Sequence, residues 1–189
     1  MKFHYAGKYN GDENSLPQRE HTENSVKFRE PENMKKFAIV MNILAGIIII
    51  LFLFIASVVS EKEIFSLAGE CGMICFFITL VPHELLHAIC FKSDVLMYQN
   101  LKQGMLFVVG TEDMSKAQFI FMCLLPNIVF GFIPFIIFLI FPDMIFFGTL
   151  GAMAISGGAG DYFNVFNCLT QVPNGAKVYM SGMHTYWHK

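Results

Sequence analysis

Charge is scarce in this chain. Only 15% of its 189 residues are Asp, Glu, Lys or Arg, and 54% are hydrophobic. A soluble domain carries roughly 25% charged and about 45–50% apolar residues, so the balance points to a membrane protein. No block of Lys or Arg marks a nucleic-acid surface, and the formal net charge is −2. Cysteine is sparse too. Cys71, Cys75, Cys90, Cys123 and Cys168 form no C-x-x-C pair, are odd in number and all fall in apolar stretches. That excludes a disulfide framework and reads as small buried apolar side chains. An early apolar core is also missing. Residues 1–36 are polar, and the first apolar run begins near Phe37 with no small-x-small site before its polar end. It is therefore expected to be retained rather than cleaved as a signal. There is no internal repeat and no low-complexity segment.

What is present is long apolar sequence. Four runs stand out: Phe37–Val59, Ile64–Phe91, Ala117–Phe141 and Met144–Leu169. Each exceeds the roughly 20 residues that span a hydrocarbon core as a helix. Membrane strands are shorter and alternate in polarity, which excludes a barrel. The expected fold is an all-α membrane protein with four transmembrane helices. Its segments are a polar tail over 1–36, a four-helix domain over 37–169 and a second tail over 170–189. The connections Glu61–Glu63 and Pro142–Asp143 are short, so helices one and two, and three and four, are expected as antiparallel hairpins. The loop between helices two and three is longer. Val95–Tyr98 and Met105–Val109 are β-prone runs around Gln99–Gly104, which reads as a small β-hairpin. Its edge could take an extended peptide by strand addition, or it could simply connect.

Basic residues set the expected orientation. The N-terminal tail carries Lys2, Lys8, Arg19, Lys27, Arg29, Lys35 and Lys36, the central loop Lys92, Lys102 and Lys116, and the C-terminal tail Lys177 and Lys189. The other two connections hold only Lys62. The positive-inside rule therefore predicts that both termini and the central loop are cytosolic.

Within the second run lies Pro82-His83-Glu84-Leu85-Leu86-His87-Ala88, an H-E-x-x-H motif. Histidines four apart share one helical face and can reach a single zinc ion, and the glutamate between them can take a proton from water. The alternative is a pair of interfacial histidines at a cytosolic helix end, where a cation suits the helix dipole. Pro82 should kink the helix just before His83.

Catalytic zinc usually has three protein ligands. Glu70 stands more than three turns before His83, Glu61, Glu63 and Asp143 belong to the opposite face, and His184 and His188 lie in the C-terminal tail. Asp161 stands inside the fourth run, about as far from its cytosolic end as His83 is from the end of helix two. A carboxylate at that depth asks for a metal, a proton or a cation. The competing reading is a hydrogen-bonded or protonated aspartate closing the bundle. Gly148, Ala152, Ser156 and Gly160 form a small-residue stripe, and Gly72, Cys75 and Thr79 lead along helix two toward His83. Helices two and four are expected to pack on these faces. Gly157 and Gly158 should loosen helix four locally. Asn164 and Asn167 are candidates to orient a ligand or to bond between helices.

The HELLHA segment, the Gly160-Asp161-Tyr162-Phe163-Asn164 run and the Ser181-Gly182-Met183-His184-Thr185-Tyr186-Trp187 tail together resemble the zincin peptidase family of small bacterial membrane proteins. The resemblance covers about Met34 to the C-terminus. The layout is also similar, more distantly, to site-2 proteases, intramembrane zinc enzymes with H-E-x-x-H in one helix and a metal-binding aspartate in a later one. It departs from them in having Gly160-Asp161-Tyr162 rather than Leu-Asp-Gly, and Pro126-Asn127 rather than Asn-Pro. The resemblance implies Zn2+ held by His83, His87 and Asp161, with Glu84 as general base. It implies hydrolysis of peptide bonds in membrane-anchored or peptide substrates, near the cytosolic face of a bacterial cell membrane. Two other classes stay open: a non-catalytic membrane protein (immunity, scaffold or transport-associated) with a structural metal site, and a proton or metal carrier.

Overall fold

The computed structural model describes residues 2–31, 34–100 and 104–189, with the side chains of residues 34 and 35 left aside. Lys102, the centre of the expected hairpin turn at 101–103 and the Lys35 side chain thus lie outside the described residues.

The chain is mostly helical, with six α-helices among the described residues: α1 (Met34–Val59), α2 (Leu67–Ala88), α3 (Lys116–Asn127), α4 (Ile133–Ile140), α5 (Ile145–Gly157) and α6 (Ala159–Gln171). The all-α expectation is corrected by seven short strands among the described residues: β1 (Phe3–Lys8), β2 (Val26–Lys27), β3 (Val95–Asn100), β4 (Met105–Val109), β5 (Met114–Ser115), β6 (Lys177–Ser181) and β7 (His184–His188). They form a three-stranded sheet in the order β1-β3-β4 and a four-stranded sheet in the order β2-β7-β6-β5. The expected hairpin is there as β3 and β4, with Tyr98 opposite Phe107. The strands of the polar tails carry no local signal because their partners are far away in the chain. Phe3 pairs with Val95, and Val26 with Trp187. Strand preference depends on such cross-strand neighbours, which no local period displays.

Two compact units divide the chain. The first comprises Met1–Glu30, Glu84–Cys123 and Asn164–Lys189. It contains both sheets, and its core gathers Phe28, Phe91, Val95, Phe119, Val178 and neighbours. In β1 the register shifts between Tyr5 and Gly7, and Gly7 has φ +86, a bulge conformation that glycine adopts without strain. Ser181 pairs with His184 across the two-residue turn Gly182-Met183, with Gly182 at φ +61. Glycine first in such a turn fits the type II′ hairpin that matches strand twist. Tyr179 stacks on Tyr186 with ring centroids 5.6 Å apart, and the Arg19 guanidinium lies 4.2 Å from the centre of the Tyr179 ring.

The second unit comprises Pro31–His83 and Leu124–Phe163. Its core is apolar and aromatic, centred on Ala56, Phe135, Phe138, Ile145, Ala152 and Ile155. Among the described residues, three helical stretches are long and apolar enough to cross a membrane: Lys36–Val59, Leu67–Ala88 and Lys116–Ile140. The third joins α3 to α4 through a π-helical turn at Ile128–Phe132, where the Ile133 N–H donates to the Ile128 carbonyl five residues back. Pro134 follows it and has no N–H to continue the regular ladder.

The fourth apolar run is not one long helix. It folds as α5 and α6, each of 13 residues, broken at Gly158. The Gly158 N–H donates back to Ala154 and Ile155 carbonyls, and α6 starts at the next residue. The small-residue stripe has other neighbours than expected. Gly148 faces the Phe138 ring, and the Ser156 hydroxyl donates to the Ala45 carbonyl of α1 at 3.2 Å. Helix α2 meets α5 one residue along, where the Thr149 hydroxyl donates to the Gly69 carbonyl at 2.8 Å. Gly72 makes room there, since a Cβ would overlap the Thr149 hydroxyl and the Phe146 carbonyl.

Candidate metal centre

Helix α2 continues past Pro82 and carries the whole H-E-x-x-H motif. One ligand atom each from His83, Glu84 and His87 lies within 4.8 Å of the other two. That closeness follows from the helical repeat, which puts positions four apart on one face.

His87 is buried, at 6% exposure. Its Nδ1 lies 2.9 Å from the main-chain carbonyl of Met122. A carbonyl can only accept, so Nδ1 carries the hydrogen. In the neutral ring Nε2 then holds the lone pair, the form a metal needs.

His83 Nε2 lies 3.3 Å from Asp161 Oδ2, with side chains 16% and 18% exposed. Zinc bonds of about 2.0–2.1 Å to nitrogen and oxygen, at tetrahedral angles, separate neighbouring donors by about 3.3 Å. The spacing suits two ligands of one ion. Without an ion it is a histidine–carboxylate contact. Asp161 stands in the first turn of α6, where the exposed N–H groups of the helix start favour an anion.

The carboxylate has a partner that the motif does not contain. Asn127 Nδ2 donates to Asp161 Oδ2 at 2.8 Å, and the Tyr162 hydroxyl donates to Asn127 Oδ1 at 3.4 Å. Asn127 is fully buried. The only signal in the sequence is an amide within an apolar run, beside Pro126. Its partner lies 34 residues on, beyond any local pattern.

The other ionisable candidates go elsewhere. Glu70 is exposed in the first turn of α2. His184 Nδ1 pairs with Glu30 Oε2 at 2.9 Å, and His188 Nε2 with Asp113 Oδ1 at 3.0 Å. The Asn167 side chain is buried and accepts a hydrogen bond from Gln171 at 2.9 Å, serving the last turn of α6. All five cysteines are free thiols.

Residues 76–177 match the family described as "putative zincin peptidase". The chain belongs to this family. No curated protein and no solved structure matches it. The matched stretch takes in the H-E-x-x-H motif, Asn127 and Asp161. Zincin chemistry implies zinc, and the donor set fits it: two imidazoles, one with its tautomer fixed by a carbonyl, and a carboxylate at ligand spacing from one of them.

Proposed function

We propose that this zincin-family chain is a zinc-dependent, membrane-embedded peptidase that hydrolyses peptide bonds near the cytosolic membrane face. His83, His87 and Asp161 hold the ion, and Glu84 is the general base. The observation that carries the reading is the convergence of the His83, Glu84 and His87 donor atoms on α2. The 3.3 Å approach of Asp161 to His83 supports a third ligand. The layout is distantly similar to that of site-2 proteases, although the aspartate and Asn-Pro segments differ.

When bound, zinc supplies Lewis acidity to the scissile carbonyl and to a water molecule. The Glu84 carboxylate accepts the proton of that water and passes it to the departing amine. The Met122 carbonyl holds the His87 ring with Nδ1–H as donor, so that in the neutral ring Nε2 carries the lone pair. Substrates are membrane-anchored segments or peptides in extended form at the interface.

The sheets support an even number of crossings. Strands from the N-terminal tail, the central loop and the C-terminal tail hydrogen-bond together in the first unit, so these three segments share one side of the bilayer. With three helices of spanning length, a fourth passage through α5 and α6 fits that arrangement. The excess of Lys and Arg in the same three segments makes that side the cytosol.

The test is zinc content and cleavage measured together on detergent-purified protein. Wild type is expected to hold about one zinc per chain and to cleave a peptide library, with Glu84→Ala keeping the zinc and losing at least about 100-fold in rate. A zinc-bound wild type whose cleavage survives in Glu84→Ala overturns the mechanism. Bound zinc without any cleavage favours the non-catalytic membrane protein.

A further inference from the structure

We infer that Asn127 is the positioning residue for the Asp161 carboxylate, locked in its orientation by Tyr162 and admitted by Gly158. The inference rests on the zinc reading above and adds a residue outside the H-E-x-x-H motif and its aspartate.

The argument starts from the freedom of a carboxylate. Asp161 turns about two side-chain bonds, and a ligand pays its ordering on metal binding unless something holds it first. The Asn127 amide holds it. Its Nδ2 donates to Oδ2, the oxygen that faces His83 Nε2. An amide is suited to this place because it donates without adding a charge. A carboxylic acid there, ionised, would repel Asp161 and could not donate.

The amide itself is held. A terminal amide can turn over and present its oxygen instead. The Tyr162 hydroxyl donates to Oδ1, which fixes the oxygen on that side and leaves Nδ2 toward Asp161. The Tyr162 ring lies 6.4 Å from the Phe132 ring of the π-helical turn, so the phenol is buttressed in turn. Gly158 completes the arrangement. A Cβ at that position would overlap the Asn127 side-chain oxygen, so only glycine lets the amide sit where it does. The glycine at the break between α5 and α6 is thus also the one that leaves room for Asn127. Residues that orient metal ligands typically change affinity by about 10–100-fold when removed.

The experiment measures zinc affinity by chelator competition, and the visible spectrum of the cobalt-loaded form, on the full chain in detergent. Asn127→Leu should weaken zinc by about 10–100-fold and alter the cobalt spectrum even at saturation. Asn127→Asp should do the same although it is closer in shape. Tyr162→Phe keeps the ring against Phe132 and should weaken zinc by a smaller factor, which serves if the Asn127 variants do not fold. On an Asp161→Ala background, where the two histidines bind zinc only weakly, each change should have no further effect. Wild-type affinity and spectrum in Asn127→Leu and Tyr162→Phe overturn the inference while leaving the zinc site standing. Equal losses with and without Asp161 also overturn it, because Asn127 would then act through the fold. A wild type that binds no zinc removes the proposed function and this inference together.

Discussion

A carboxylate in an apolar run announces itself, but a carbonyl does not. Asp161 and the two motif histidines stand out in the sequence because ionisable groups inside apolar runs demand a reason. The Met122 carbonyl that fixes His87, and the Asn127 amide that meets Asp161, do not, since each contact joins positions more than 30 residues apart. The same limit applies to the loop before α3. Burial raises the Asp113 carboxyl, but hydrogen bonds from Arg19 and His188 outweigh it and hold the group below the usual range. Burial likewise opposes Glu112, whose bonds from Ser93 and Lys92 win and lower it. A lowered carboxyl stabilises the fold above its unfolded pKa, and the contribution disappears as pH falls through the folded value. The first unit should therefore lose stability below about pH 4. Asp113→Asn is expected to lower stability at pH 7 and flatten the acid limb of a melting-temperature profile. An unchanged acid limb would remove these pairs from the account.

Helices were read well by length and less well by continuity. The runs of α1 and α2 match their expected spans, because apolar length alone sets them. The fourth run has the same composition, yet it breaks at Gly158. The glycine pair marks that break in the sequence, but hydropathy does not register the buried Asn127 amide against Gly158. Gly158→Ala should push that amide away and lower zinc affinity by about tenfold or more, read by chelator competition. The small-residue stripe was legible as a packing surface, but not its partners. The hydroxyl that joins α5 to α2 belongs to Thr149, beside the stripe. Thr149→Val keeps the shape and removes the bond, so it should lower the stability of the detergent-solubilised protein by about 0.6–1 kcal/mol. A neutral result would make the contact one of shape alone.

On the scale of the whole chain, the tails looked like solvated polar segments, yet they supply strands to both sheets. The two-residue strands β2 and β5 carry too little sequence to register as strands, and only β6 and β7 give them an edge to pair with. Reporter tags at both ends should therefore lie on the same face of the membrane when probed with an impermeant reagent. Opposite faces would contradict the sheet. Removing residues 177–189 should leave β2 and β5 without partners and give a protein that protease digests well before the full chain.

That sheet also sets a timetable. Among the described elements β6 and β7 are made last, and β2, made before any of the α-helices, pairs with β7. The first unit cannot close while the helices are being inserted.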